Sequence, residues 1–151
     1  MSRLSWALRR LARTSWQQRR LLAEAVALVP VVHQLQQRLP FERWRRLLER
    51  VAPVRGLDPS AHASARHVVW AIGVAADYLP GQYKCLPRAY AAHVLLARHG
   101  HASEVRVGVA RDPNGKVEAH AWVDCQGRTV VGQVENMERF VRLPDFSKAF
   151  S

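Results

Sequence analysis

The spacing of apolar residues along the chain changes at Gly100, and this change sets the fold class. Before it, over residues 59–98, apolar positions recur every three or four residues, which is typical of amphipathic helices. After it, Val105, Val107 and Val109 alternate with polar or small residues, which is typical of a strand with one buried face. We therefore predict an α+β fold, with a helical N-terminal half followed by a small antiparallel sheet.

Two helices are predicted in the middle of the chain. Asp58 followed by Pro59 is a helix start, with a capping acid before a proline in the first turn, and the pattern predicts a helix over about 59–78. A central helix is predicted over Cys85 to Arg98, with Gly100 just beyond its end. Its cysteine therefore lies at a helix N-terminus.

The first fifty residues form a basic region that we predict to be two or three helices. The stretch contains no glycine and is punctuated by Pro30 and Pro40, of which Pro40 is expected to separate the last helix. We expect a basic helical region over residues 1–52 and a core over 53–151, together one compact unit. A chain of 151 residues, 48% apolar and 23% charged, is sufficient for a globular domain.

The positive charge is concentrated at the N-terminus. The chain has 23 Lys and Arg against 12 Asp and Glu, and residues 1–50 hold 11 Arg against 3 Glu. Such a region can meet an acidic peptide, a partner protein or an anionic membrane surface, or it can be a solvated helix face. Because Trp6, Trp16 and Trp44 lie among the arginines, a nucleic-acid-binding module is a further alternative.

Cysteine content and hydropathy exclude several classes of protein. Cys85 and Cys125 are the two cysteines, too few for a disulfide scaffold or a paired-cysteine zinc site, so a reducing, cytoplasmic setting is expected, with no metal and no cofactor. The longest apolar run, 21–32, contains Glu24 and Pro30 and is shorter than the ~20 residues of a spanning helix. A signal peptide is not favoured, because the helical pattern continues beyond that run.

Two hairpins are predicted after the first strand. Residues 112–115 are a strong turn signal, and Gln126-Gly127 predicts a second turn between strands 117–124 and 129–134. The two-residue period places His120 and Trp122 on one face, with Ala121 on the other, which is expected to pack on the central helix. If Cys125 pairs with Arg128, His120 lies opposite Gln133.

These residues could form a cysteine nucleophile system. Cys85 would supply the thiol, His120 the base, and Gln133 the polar group that orients the imidazole. The backbone N–H of Cys85 and the side chain of Gln82 are candidate donors to an oxyanion, and Arg88 and Trp122 are candidates for binding substrate. Alternatively, Cys85 is a small buried apolar residue and His120 an ordinary sheet histidine. Five other histidines are expected on helix surfaces or in loops, namely His62, His67, His93, His99 and His101.

The ordered set of motifs resembles the lasso-peptide B-protein leader peptidases, which belong to the transglutaminase-like cysteine protease superfamily. The resemblance rests on the strings Cys-Leu-Pro-Arg-Ala-Tyr at 85–90, Val-Arg-Val-Gly-Val at 105–109 and His-Ala-Trp-Val-Asp at 120–124. It covers the chain from Cys85 to about Leu143, and the Arg-rich, Leu/Ala-rich lead-in is also similar. It implies a transglutaminase/papain-like core, with Cys85 as nucleophile and His120 as base.

This sequence departs from the family at the third catalytic position. Where the family commonly has Asp, around Gly132-Gln133, no acid is present. Gln133 is the nearest polar residue, and Glu135 and Asp124 are the alternatives. An inactive scaffold of the same fold is therefore a rival interpretation.

The resemblance also implies partners. The expected reaction removes the leader from a ribosomally made precursor peptide, so that a partner cyclase can close the macrolactam. Because the first fifty residues are predicted to be helical, we expect the leader-recognition domain on a separate protein. In this interpretation nucleic acid is not a partner.

Overall fold

The structure is a computed structural model that describes residues 9, 12–51, 63–81 and 84–144. Its helices are α1 Trp16–Arg38, α2 Phe41–Val51, α3 Ala65–Tyr78 and α4 Cys85–Arg98. Its strands are β1 Ser103–Arg111, β2 Val117–Cys125, β3 Arg128–Val131 and β4 Val141–Arg142, with a short 3-10 turn over Met137–Arg139 before β4. The predicted α+β fold is confirmed.

Helix α1 begins at a capping box. The hydroxyl of Ser15 accepts the Gln18 N–H at 3.2 Å, and the Gln18 side chain accepts the Ser15 N–H at 3.0 Å. The helix then continues through Pro30, so the prediction that Pro30 punctuates this region is wrong. Proline removes one helical hydrogen bond, and the residue whose carbonyl loses it, Val26, is 41% exposed.

Pro40 separates α1 from α2, as predicted. Helix α2 buries Trp44 and Leu48. The Trp44 ring packs edge-to-face on Tyr90 of α4, with 4.7 Å between ring centroids. This contact joins the N-terminal helices to the central one.

Helix α4 has the predicted bounds, and α3 ends where the sequence indicates. The structure has α3 from Ala65, with Ser64 as its cap, because the Ser64 hydroxyl accepts the His67 N–H. The prediction that this helix begins at Asp58-Pro59 is therefore wrong, because Ala63 and Ser64 are not helical. Residues 58 and 59 themselves lie outside the described residues.

His99, expected at the surface, is only 7% exposed, so that prediction is wrong. Its Nδ1 accepts the Ala63 N–H at 3.2 Å, and its Nε2 lies 3.2 Å from Glu24 Oε2. The imidazole therefore joins α1 to the segment that precedes α3, a long-range contact that sequence spacing does not reveal.

The sheet has the strand order β3-β2-β1-β4. Both predicted hairpins are present, and Cys125 pairs with Arg128 as expected. However, a β-bulge between Val123 and Asp124 shifts the pairing by one residue, and β3 ends at Val131 rather than at Val134. Gln133 therefore lies beyond the strand.

The two faces of the sheet have different neighbours. Ala121 and Val123 of β2 pack in the main hydrophobic cluster with helices α1 to α4, which confirms the predicted packing on the central helix. Trp122 lies in a separate small cluster with Ala110 and Phe140. We call the face that carries Ala121 and Val123 the inner face, and the face that carries Trp122 the outer face. Among the described residues, no helix combines the length and hydropathy needed to cross a bilayer.

Candidate active site

Cys85 is the first residue of α4, as the sequence predicts. It is half-buried and packs at the border of the main hydrophobic cluster. The other cysteine, Cys125, is 5% exposed, and its thiol donates to the Ala102 carbonyl with 3.4 Å between sulfur and oxygen. The two thiols therefore occupy different surroundings.

The start of α4 has a restricted set of hydrogen-bond donors. The first N–H groups of a helix have no acceptor within it. Pro87 has no N–H, and the Arg88 N–H bonds to the Lys84 carbonyl at 3.4 Å. The N–H groups of Cys85 and Leu86 are left as the donors at this helix end. Its first turn contains no acid, so no carboxylate offsets the positive end of the helix.

His120 is half-buried on the outer face of β2 and is held on three sides. Its ring stacks on Trp122, with 6.1 Å between centroids and 21° between planes. Phe140 lies 5.4 Å from it, centroid to centroid. Its Nε2 lies 2.5 Å from the main-chain oxygen of Gly132. The imidazole is therefore oriented by two rings and one carbonyl.

The Gly132 contact fixes the tautomer of His120. A carbonyl oxygen only accepts, so Nε2 must carry the hydrogen that it donates. In the neutral imidazole the other nitrogen, Nδ1, then has the lone pair. Nδ1 is the nitrogen that can take a proton.

Two glycines make this arrangement possible. A Cβ at Gly132, where φ is +81°, would lie 2.7 Å from the Ala121 carbonyl oxygen. A Cβ at Gly108, which pairs with His120 across β1 and β2, would lie 2.9 Å from the Trp122 ring. Glycine at 132 thus lets its carbonyl approach His120, and glycine at 108 leaves room for the Trp122 and Phe140 rings.

The lengths of α4 and β1 give an estimate of the level of the sheet at which Cys85 lies. The Ser103 hydroxyl is 2.8 Å from His93 Nδ1, so β1 begins beside His93. Cys85 precedes His93 by eight residues, about 12 Å along the helix, a distance that a strand covers in about four residues. Followed along β1, that length ends at Val107, whose partner Ala121 is next to His120.

The two side chains belong to different clusters at that level. Cys85 borders the inner-face cluster, whereas the His120 ring contacts Trp122 and Phe140 on the outer face. No hydrogen bond joins Cys85 to His120 in the part of the chain that the structure describes. The fold brings the residues to one region without placing them in contact.

The predicted third residue does not orient His120. Gln133 is exposed, and none of the hydrogen bonds among the described residues links it to the imidazole. The physical reason is that β3 ends at Val131 and Gly132 turns the chain with a φ of +81°, so the strand does not reach Gln133, and the Gly132 carbonyl contacts the imidazole instead. Glu135 is likewise exposed. Asp124 accepts the Thr129 hydroxyl at 2.8 Å and lies 3.9 Å from Arg106, so its carboxylate is engaged elsewhere.

The proposed substrate-binding residues have structural contacts. Trp122 is 2% exposed, so it supports His120 from behind and presents no surface to a substrate. Its indole N–H is buried and has no acceptor among the described residues. Arg88 forms a 2.8 Å ion pair with Asp77 of α3. The remaining candidate, Gln82, lies outside the described residues.

A separate polar cleft of about 360 Å³ lies between α2, α4 and β1. Tyr90, His93 and Ser103 line it, and burial lowers the pKa of the His93 imidazole below its ordinary value while Glu49 opposes the shift. Burial also raises the pKa of Tyr90. Neither Cys85 nor His120 lines this cleft. Among the described residues, no three His, Cys, Asp or Glu side chains are grouped to hold a metal ion.

Sequence reasoning missed the Gly132 carbonyl. A main-chain oxygen is present at every position, so its role leaves no mark in residue type. The available signal was the glycine itself, since a residue with positive φ marks the end of a strand.

Comparison with known proteins gives one match. The model of the transglutaminase-like superfamily matches residues 27–145. No curated protein and no solved structure matches the chain.

Proposed function

We propose that this chain, which belongs to the transglutaminase-like superfamily, is a cysteine peptidase with Cys85 as nucleophile and His120 as general base. The superfamily includes cysteine peptidases. A thiol at a helix start and an imidazole on the adjoining sheet are the parts that such a reaction needs.

One observation carries the proposal: His120 Nε2 donates to the Gly132 carbonyl, so Nδ1 has the lone pair. A third catalytic residue keeps the imidazole in one tautomer and orientation. The carbonyl does both without a carboxylate. It therefore answers the objection that the lack of an acid near Gly132 marks a decayed site. It supplies no full negative charge to stabilise the imidazolium.

The reaction transfers two protons through His120. Nδ1 takes the proton of the Cys85 thiol, and the thiolate attacks the peptide carbonyl carbon to form a carbon–sulfur bond. The oxyanion accepts hydrogen bonds from the N–H groups of Cys85 and Leu86. The imidazolium then protonates the leaving amine as the carbon–nitrogen bond breaks. His120 then takes a proton from water as the water oxygen attacks the thioester carbon. The carbon–sulfur bond breaks to release the carboxylic acid product, and the imidazolium returns its proton to the Cys85 thiolate.

The reaction requires closer contact between Cys85 and His120 than the free chain has. Catalytic hydrogen bonds are often long or poorly aligned without substrate and tighten in the complex. We infer that bound substrate brings Sγ and Nδ1 together at the start of α4.

The substrate that we propose is a lasso-peptide precursor. The ordered strings at 85–90, 105–109 and 120–124 support removal of a leader from a lasso-peptide precursor. The partners would be the precursor peptide, a separate leader-recognition protein and a macrolactam-forming cyclase.

The test compares alkylation of the two thiols as a function of pH, followed by mass spectrometry. With the candidate precursor present, we expect Cys85 to be alkylated faster relative to Cys125 than in the free chain, and to lose this gain in His120→Ala. Cys125, which is buried on the sheet, is the internal control and should not respond to His120.

If Cys85 behaves alike in the parent and in His120→Ala, with the candidate precursor present as well as absent, no catalytic pair forms. An inactive scaffold would then be the better description. Cleavage of the precursor that survives Cys85→Ala would also exclude this nucleophile.

A further inference from the structure

Helix α2 has an outward face of arginines. Arg43, Arg46 and Arg50 are spaced three and four residues apart, so they share one side of the helix, and all three are exposed. Trp44 and Leu48 occupy the buried side. We call the exposed side, together with Leu47 and Val51, the basic surface.

The acids of α2 do not neutralise this surface. Glu42 and Glu49 both pair with Arg45, which is half-buried against the body of the protein. None of the ion pairs formed by the described residues involves Arg43, Arg46 or Arg50. Three positive charges therefore face solvent over about 10 Å of helix.

Apolar side chains are exposed beside these charges. Leu47 is 42% and Val51 50% exposed. Val31 of α1 is 51% exposed and lines the same shallow cleft as Val51, so the apolar area continues from α2 onto α1. Farther along α1, Trp16 is 80% exposed and lies close to Arg19 and Arg20.

The excess of positive charge lies on the helices and not on the sheet. Residues 16–51 contain seven arginines and three glutamates, and residues 63–98 contain four basic residues and one acid. Residues 103–144 contain six basic and six acidic residues, so the sheet is electrically balanced.

We propose that the basic surface binds an anionic lipid bilayer, with α1 and α2 lying along the headgroups. Arginines attract acidic headgroups, and exposed aliphatic and indole side chains enter the boundary between headgroups and acyl chains. A polyanion such as RNA, or an acidic peptide, would use the charges but would leave Leu47 and Val51 in water. The exposed apolar residues therefore favour a membrane as the binding partner. This proposal does not depend on the peptidase proposal.

The test is flotation of the full chain with phosphatidylcholine vesicles that contain about 30% phosphatidylglycerol, at about 0.05 M and about 0.3 M salt. We expect binding that weakens with salt and is absent on pure phosphatidylcholine. The variant Arg43→Gln/Arg46→Gln/Arg50→Gln should bind roughly 100-fold more weakly, since each basic residue near the surface contributes about 1 kcal/mol. The control Arg111→Gln/Lys116→Gln/Arg128→Gln removes the same charge from exposed sites on the sheet, and it should bind within about threefold of the parent.

A second variant separates the membrane from other anions. Leu47→Ser/Val51→Ser should weaken vesicle binding about tenfold and leave binding to a poly(U) RNA or a poly-glutamate peptide unchanged. Any one of three results would overturn the proposal. The first is an equal loss of vesicle binding in the α2 triple variant and in the sheet triple variant, and the second is no preference for the anionic vesicles. The third is vesicle binding that does not change in Leu47→Ser/Val51→Ser. Circular dichroism of every variant confirms that the helices are retained. Alkylation of Cys85 should be unchanged, so failure here is distinguishable from failure of the peptidase proposal.

Discussion

The two faces of the β1–β2 hairpin are built from different chemistry. The inner face carries small and branched aliphatic residues, Val107, Ala121 and Val123, each at most 3% exposed. The outer face carries His120 between aromatic rings, with Gly108 opposite it. Neighbouring residues of one strand therefore serve different ends: one set attaches the sheet to the helices, and the other holds an imidazole.

This difference teaches where substitutions should alter stability and where they should alter reactivity. Removal of an inner-face side chain leaves a cavity in the main cluster, whereas a change on the outer face moves the ring of His120. Substitutions on one face or the other therefore separate effects on stability from effects on the reactivity of Cys85.

Gly132→Ala should have the largest effect because it disturbs both faces. The new Cβ meets the Ala121 carbonyl at 2.7 Å and adopts a positive φ. We expect the free energy of unfolding to fall by about 3 kcal/mol and Cys85 alkylation to resemble that of His120→Ala. Urea unfolding and alkylation measure the two effects.

Gly115→Ala is the matched control for Gly132→Ala. Gly115 has φ of +80°, and no atom lies within 4 Å of an added Cβ. It should lose about 1 kcal/mol from backbone strain alone, with normal Cys85 alkylation. Equal losses in the two variants would mean that the Gly132 contacts contribute nothing.

Val123→Ala tests the inner face alone. Val123 is fully buried, so loss of two methyl groups should lower the free energy of unfolding by about 2 kcal/mol. Cys85 alkylation below the unfolding transition should not change. A variant that stays stable but loses thiol reactivity would contradict the separation of the faces.

Gly108→Ala tests the outer face by overpacking. The Cβ would lie 2.9 Å from the Trp122 ring and 3.0 Å from Phe140. We expect the free energy of unfolding to fall by about 1 to 2 kcal/mol and the His120 resonance to shift in NMR spectra.

Gly73→Ala in helix α3 has open space around the added Cβ and should instead stabilise the protein by about 0.5 to 1 kcal/mol.

His93 should produce the smallest effect, and one that depends on pH. Since burial lowers its pKa below 6.5, the unfolded chain binds more protons than the folded chain as the pH falls through that value. This contribution to the free energy of unfolding is therefore lost as the pH falls below about 6.5. His93→Gln should flatten that part of the stability profile in urea unfolding; an unchanged profile would contradict the assignment to His93.

Local features of the fold could be predicted from the sequence, and register could not. Helix α4 and both hairpin turns follow from apolar period, Gly100 and the Asn-Gly turn. The bulge at Val123/Asp124 and the end of β3 at Val131 depend on how the strands pack. Because β3 ends there, the Gly132 carbonyl contacts His120 and Gln133 does not. Pro30 lies within a helix for a similar reason, because packing of α1 outweighs one lost hydrogen bond.

The site was predicted only in part. Cys85 was placed correctly at a helix start, and the face shared by His120 and Trp122 followed from the two-residue period. The burial of His99 and the role of Gly132 depend on contacts between distant segments and on main-chain atoms, which residue types do not encode. The functions of Cys85 and His120 stay predictions.

The tautomer of His120 is the most direct test of its orientation by Gly132; it is measured by long-range 1H–15N NMR on protein with 15N-labelled histidine and assigned with His120→Gln. We expect a neutral ring with hydrogen on Nε2 and a lone pair on Nδ1. Gly132→Ala should disturb that signal, and Gln133→Ala should not. A neutral ring with hydrogen on Nδ1, or a signal that responds to Gln133→Ala and not to Gly132→Ala, would contradict the claim that the Gly132 carbonyl orients the base.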